Sequence, residues 1–118
     1  MSKYANAGEL RTRVYFKRIQ RSTDAEGFPA ETEVNVFGEG EYARCKWVNA
    51  HGSEVFLAKQ LELREPATLT MRYSPLINEK LLVYHEDDIK PYEIISLDNV
   101  ENRNQWLEIK VQRMVSAR

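Results

Sequence analysis

The chain has 118 residues, of which 42% are hydrophobic and 30% charged, and its formal net charge is −1. This length and composition predict one soluble domain over residues 1–118 and exclude a disordered chain, while the near-neutral charge excludes a global electrostatic attraction to nucleic acid. The single cysteine, Cys45, excludes an internal disulfide and is typical of a protein kept in a reducing cytosol.

The chain shows no sign of targeting to a membrane. No apolar run approaches the roughly 20 residues of a membrane-spanning helix, and the first residues do not resemble a signal peptide. Residues 1–9 are small and polar, and we expect them to be flexible. We therefore expect no membrane partner, and a location in the cytoplasm or in an assembly built there.

Short stretches of alternating apolar and polar residues follow one another along most of the chain. Val14 and Phe16 share one face of the first stretch, and Cys45 and Trp47 share one face of the third, as in strands with one buried side. The predicted strands are 12–20, 31–37, 41–49, 67–73, 80–86, 91–98 and 105–113. Residues 21–30 are predicted to be a long, turn-rich connection. Six or seven such strands predict a mainly all-β fold, a small antiparallel β-barrel or a sandwich.

Charge is unevenly distributed in the first third of the chain. Residues 1–21 hold six basic residues and one acidic residue, whereas residues 22–43 hold six acidic residues and no basic one. One interpretation is a pair of antiparallel strands whose opposite charges face each other in solvent. The other is a subunit with a basic and an acidic edge, suited to head-to-tail packing in a ring. The candidate subunit-interface charges are Arg11, Arg13, Lys17, Glu31 and Glu33.

Residues 52–64 fit neither a helix nor a strand cleanly. As a helix, this stretch has good propensity and Ser53 is a plausible N-cap, but its apolar residues scatter around the axis. As a strand, it places Phe56 and Lys59 on opposite faces. We expect one short helix or a long flexible loop here, whose shape depends on a partner.

Few residues suggest chemistry. His51 and His85 are each isolated in sequence, and no metal-ligand spacing is present. The acidic run at 86–88 lacks the staggered spacing of a calcium loop and is predicted to be a solvated turn. Cys45 lies at an inward strand position, which favours a buried core thiol over a reactive one. We predict no enzymatic activity, no metal and no cofactor.

A second class of function is a small nucleic-acid-binding β-barrel. A short basic strip with an exposed aromatic could be formed by Arg11, Arg13, Lys17 and Arg18, with Tyr15 among them. The acidic second strand is expected to lie beside this strip and to cancel its field.

Several motifs, taken together in order, resemble the phage head–tail joining family, also called head-closure or stopper proteins. The motifs are Leu10-Arg11-x-Arg13-Val14, Asp24-x-x-Gly27-Phe28, Gly52-Ser53-Glu54 followed by Ala58-Lys59-Gln60, Thr70-Met71-Arg72-Tyr73, Tyr92-Glu93-Ile94 and Trp106-Leu107-Glu108. The chain departs from the family pattern at Tyr42-Ala43 and in the longer turn at 86–91.

The resemblance implies a structural protein of the virion, made in the host cytoplasm. Its copies would form a ring beneath the portal or adaptor protein, close the DNA-filled head and meet a tail-completion protein, while the genome passes through without sequence-specific binding. Residues 50–66 would then be a channel-facing gate or ring contact, ordered on assembly, with a static clip on the barrel as the alternative. The candidate residues of this loop are His51, Ser53, Glu54, Phe56, Lys59 and Gln60.

Overall fold

The computed structural model describes residues 7–114 of the chain. The expected flexibility of residues 1–9 therefore lies outside the described residues, apart from a 3₁₀ turn at Ala7–Glu9. The later elements are β1 (Thr12–Thr23), β2 (Pro29–Asn35), β3 (Ala43–Asn49), α1 (Ser53–Gln60), β4 (Ala67–Arg72), β5 (Leu82–His85), β6 (Tyr92–Asn99), a second 3₁₀ turn (Val100–Asn102) and β7 (Trp106–Arg113). Between residues 7 and 114, no helix has the length and apolar character needed to cross a membrane.

β1 is the strand on which the barrel closes. Val14 pairs with Ala43 of β3 on one edge and with His85 of β5 on the other. The antiparallel pairs β3–β4, β4–β7, β7–β6 and β6–β5 complete the circle. The fold is thus a closed six-stranded antiparallel β-barrel with β2 as an additional strand, which confirms the barrel and not the sandwich. Closure leaves these six strands with few open edges.

The main core lies inside the barrel. Its fully buried side chains are Val14, Phe16, Cys45, Leu69, Val83, Leu107, Ile109 and Val111. They occupy alternate positions on their strands because successive strand residues point to opposite faces, so the predicted inward positions are confirmed. A smaller cluster outside the barrel joins Val100, Trp106 and Leu10, with the Arg72 guanidinium 5.4 Å from the centre of the Trp106 ring.

The strand registers define two ends of the barrel. At the helix end lie α1, the turn at 86–91 and the last residue of β7, because Asn49 pairs with Ala67, Ala67 with Val111 and Tyr92 with Arg113. The opposite end is here called the arm end, after the hairpin described next. It contains the turn at 36–42, the loop at 73–81 and the outer half of β1.

The outer half of β1 and the part of β2 up to Val34 form a hairpin that leaves the barrel at the arm end, here called the arm (residues 18–34). The predicted connection at 21–30 is wrong in extent, since strand pairing continues to Thr23 opposite Pro29 and the tip is only 24–28. Ser and Thr look turn-like in sequence, but here they continue a ladder that also carries an Arg21–Glu31 ion pair of 3.0 Å. The six residues from Arg18 to Thr23 extend the arm by about 20 Å, within a molecule measuring 53 × 33 × 26 Å.

Candidate functional site

α1 is a short helix whose apolar side chains are largely exposed. Ala58 is its buried residue, whereas Phe56, Leu57 and the following Leu61 are 67%, 54% and 61% exposed. Because its apolar residues scatter around the axis, the helix cannot bury them all against one neighbour. The result is an apolar surface at the helix end of the barrel.

The N-terminus of α1 differs from the sequence expectation, and its C-terminus closes in a defined turn. Ser53 is wrong as an N-cap: it is the first helical residue, and Gly52, with φ 61°, precedes it without any side-chain cap. At the C-terminus the Leu63 N–H donates to Ala58 O (2.9 Å) and the Glu62 N–H to Lys59 O (3.1 Å). These two bonds form a Schellman motif, with Glu62 at φ 59° in the position that glycine usually takes.

All six candidate residues of the loop are exposed. At the N-terminus of α1, His51 Nδ1 lies 3.9 Å from Glu54 Oε1. Lys59 lies at the other end of the helix and faces the cleft described next. The structure therefore gathers these side chains on and beside one exposed helix, and their role as a gate or a ring contact stays a prediction.

A cleft of about 680 Å³ separates α1 from the barrel. Its floor is aromatic: the Trp47 ring centre lies 4.2 Å from that of His85 and 5.0 Å from that of Tyr92. The Arg113 guanidinium lies over Tyr92, at 4.1 Å from the ring centre. Sequence reasoning considered His85 by itself, but it did not select Trp47, Tyr92 or Arg113 as site residues. The available signal was the strand alternation that places Arg113, a cation, on the inward side of β7.

Arg113 joins two loops at the helix end. Its guanidinium donates to Asp88 Oδ2 (3.1 Å), to Glu65 Oε1 (3.1 Å) and to the Lys90 carbonyl (2.9 Å). Burial lowers the pKa of Arg113, but the hydrogen bonds to Glu65 and Asp88 outweigh it and the pKa is raised overall. The contacts hold the 86–91 turn and the segment after α1 together.

The predicted solvated turn at 86–88 is likewise tied to the barrel. The Arg13 backbone N–H donates to Glu86 Oε2 (3.0 Å) and its guanidinium to Glu86 Oε1 (2.9 Å). These two hydrogen bonds lower the pKa of Glu86. Asp87 lies 3.5 Å from the same guanidinium. Arg13, a candidate interface charge, is thus engaged within the subunit.

The other candidate interface charges lie along β1 and β2. Lys17 Nζ lies 4.6 Å from the centre of the Tyr84 ring, and the Tyr84 hydroxyl donates to Glu33 Oε1 at 2.6 Å. Arg11 Nε donates to the Gly8 carbonyl at 2.8 Å. The Arg21–Glu31 ion pair in the arm matches the interpretation in which opposite charges face each other on neighbouring strands. An additional role between subunits stays a prediction.

The residues considered for chemistry do not converge. His51 is exposed beside α1, while His85 lies against Trp47 with Nδ1 3.6 Å from Asp88 Oδ2. Burial raises the pKa of the Cys45 thiol to about 12, so the thiol is held protonated. In the part of the chain that the structure describes, no group of three or more His, Cys, Asp or Glu side chains could hold a metal ion.

The arm presents an aromatic side chain at its tip. Asp24 Oδ1 accepts the backbone N–H groups of Glu26 and Phe28, both at 2.9 Å, and Gly27 takes φ 88°. This Asx-type turn closes the hairpin and leaves Phe28 64% exposed. The Asp24-x-x-Gly27-Phe28 motif is therefore a rigid tip with an apolar end.

Comparisons with known proteins give one family match and similar solved structures. A family model described as phage head completion protein matches residues 5–114. The solution structure of protein SF1141 from Shigella flexneri 2a is similar over 95% of this chain and 99% of that chain, with a TM-score of 0.65 and 20% identity. A chain in the virion of a native gene transfer agent particle is similar over 90% of this chain and 98% of that chain, with a TM-score of 0.55 and 12% identity. A comparison with curated protein sequences found no match.

Proposed function

Since the chain belongs to the phage head completion protein family, we propose that its copies form a ring beneath the portal or adaptor protein, close the DNA-filled head and join it to the tail. Its role is structural and its place is the virion. The observation that carries the proposal is the family match over residues 5–114, which includes the whole barrel, the arm and α1.

The charges of the subunit suit a passage for DNA better than a grip on it. Each phosphate neutralised by a lysine or arginine adds affinity through counterion release. Here the net charge is −1, and Arg13 and Arg113 are engaged by the carboxylates of Glu86 and Asp88. Lys17 is stacked on Tyr84. These contacts leave less positive charge for a nucleic-acid-binding strip on β1.

Particles assembled without the chain test the proposal directly. We expect DNA-filled heads that lack tails and lose their DNA, and restoration of tailed particles when the purified chain is added. Normal tailed particles in its absence would contradict the proposed role. A filter-binding titration at low salt addresses the alternative: tight, steeply salt-dependent binding of DNA would favour a nucleic-acid-binding module instead.

We further propose that residues 50–66 are the part of the subunit that changes most on assembly. Exposed apolar side chains such as those of Phe56 and Leu61 are typical of a surface that a partner covers. A helix of this length is only marginally stable without such a partner. Hydrogen exchange compared between the free chain and assembled rings checks this, with the core strand β7 as internal reference. We expect slower exchange at 53–63 in the ring and little change in β7. Equally strong protection of 53–63 in both states would contradict it.

A further inference from the structure

A groove on the flank of the barrel, here called the flank groove, lies beside α1. It adjoins the aromatic cleft, and the two share wall residues such as Ala58 and Leu63. It has a volume of about 270 Å³ and a mainly apolar wall. Leu57, Leu61 and Leu63 line it from the helix side, and Ile95 lines it from the sheet. Ile95 is available because a β-bulge between Ile94 and Ser96 leaves it unpaired and 41% exposed.

The tip of the arm has a shape and chemistry that fit this groove. A cavity of about 150 Å³ lined by aliphatic side chains accommodates a benzene ring, so the flank groove is large enough for the phenyl group of Phe28. The tip is rigid, since Asp24 accepts two backbone N–H groups within it. A preorganised aromatic side chain loses little conformational entropy on docking.

Charges beside the two surfaces are complementary. Exposed Glu26 is two residues from Phe28 on the tip, and exposed Lys110 lies at the sheet side of the flank groove, with Nζ 3.5 Å from Thr68 Oγ1. Glu54 stands at the helix side of the groove. A tip entering with Glu26 toward Lys110 and away from Glu54 brings opposite charges together and keeps like charges apart.

The two surfaces lie at opposite ends of the same subunit. The arm leaves the barrel where β1 continues past Lys17, whereas α1 follows the far end of β3, at the Asn49–Ala67 pair. A contact between different surfaces of identical subunits is heterologous, and it generates a ring where the rotation closes. In a closed ring every arm fills a groove and every groove is filled, which makes a second copy of this chain the fitting occupant.

We propose that Phe28 at the arm tip of one copy docks into the flank groove of the next copy, and that this contact links neighbouring subunits of the ring. The inference rests on the proposed ring of copies and names the surfaces that join them. It also gives the exposed side chains of Leu57 and Leu61 a partner of defined chemistry.

Thiol cross-linking in assembled particles tests the contact. Every copy keeps Phe28 and carries Ala25→Cys, at an exposed position of the same tip, together with Leu57→Cys, and a short bis-maleimide is added; Cys45 does not compete because it is fully buried. The matched control is Ala25→Cys with Phe56→Cys, since Phe56 neighbours Leu57 on the helix but does not line the groove. We expect a ladder of dimers and higher oligomers on a denaturing gel, at least several-fold stronger than with the control pair.

The outcomes separate this inference from the proposed function. Particles that contain the chain but give no ladder, or an equal ladder with both pairs, overturn the docking contact and leave the structural role in the virion intact. Particles that form normally without the chain overturn both. Glu26→Lys or Lys110→Glu added to the Cys pair is expected to weaken the ladder, and the two together to restore it. Absence of that restoration would overturn the predicted orientation of the tip.

Discussion

At the scale of single residues, the most informative contact joins Arg13 and Glu86, which are 73 positions apart in sequence. Arg13 binds Glu86 through both its backbone N–H and its guanidinium, and Glu86 N–H donates back to the Arg13 carbonyl at 2.9 Å. Glu86 takes φ 54° to do so. The sequence suggests a turn of solvated acidic residues, but the structure shows that Glu86 joins this turn to β1 at the helix end of the barrel. This set of Arg13–Glu86 contacts is here called the clasp.

The clasp predicts an acid-dependent stability. Hydrogen bonds from Arg13 lower the pKa of Glu86 below its usual 4.5, so the ionised carboxylate stabilises the fold above that value, and this stabilisation is lost as the pH falls through the lowered pKa. We expect Glu86→Gln to lower Tm at neutral pH, and the difference from the unchanged chain to shrink in acid below pH 4.5.

Thermal unfolding followed by circular dichroism across this pH range measures the effect. Glu79→Gln, at an exposed position in the loop at 73–81, is the matched control for removing one carboxylate. A Glu86→Gln chain with the same Tm difference at every pH would show that the ion pair does not carry the acid sensitivity.

At the scale of elements, α1 ends in a strained residue. Glu62 occupies the left-handed region at φ 59° in the Schellman motif, where a side chain costs about 1–2 kcal/mol relative to the right-handed region. The helix thus stops abruptly, and the chain turns so that Leu63 faces the flank groove. The position of the groove depends on this one turn.

Replacing Glu62 with glycine should stabilise the subunit. Glycine adopts φ > 0 without strain but gains more freedom in the unfolded chain, so we expect a net increase of about 0.5–1 kcal/mol in the free energy of unfolding. Gln60→Gly, inside the same helix, should lower it by about 1 kcal/mol. Urea denaturation of the three chains measures both changes. Two changes of the same sign would argue against the left-handed strain at Glu62.

At the scale of the whole molecule, the barrel and the arm differ in how they bury their aromatic side chains. Phe16 lies at the centre of the closed barrel, fully buried and edge-on to Phe37 with ring centres 6.1 Å apart. Phe28 is also an aromatic of the β1–β2 hairpin, yet it lies exposed at the tip. One phenylalanine therefore stabilises the barrel, and the other lies in solvent at the tip of the arm.

The two phenylalanines give opposite expectations. Phe16→Ala should lower the free energy of unfolding by about 3–5 kcal/mol, because it opens a cavity in a closed core. Phe28→Ala should change it by less than about 0.5 kcal/mol, while reducing assembly into particles. Chemical denaturation of each free chain and a count of tailed particles check the pair. A large loss of stability in Phe28→Ala would show that the arm belongs to the folding unit.

The strand sequences by themselves determined the fold class and the inner and outer faces. Alternation is local: Leu107, Ile109 and Val111 can be assigned to one face without knowing which strand lies beside them. The same alternation placed Arg113 on the inward side. The motifs from Leu10 to Trp106 were enough to indicate the family, because they occur in a fixed order and spacing along most of the chain.

Only the tertiary structure decided which strands pair, where charges find partners and what the ends of the molecule present. Closure of β1 on β5 and the Arg13–Glu86 clasp join residues some 70 positions apart, and periodicity contains no information about such distances. The tertiary structure also decided the conformation after Gly52, because the apolar residues there follow neither the helical nor the strand period. The apolar side chains of α1 are exposed because the closed barrel already fills its own core, and the helix and the arm tip therefore lie exposed at opposite ends of the molecule.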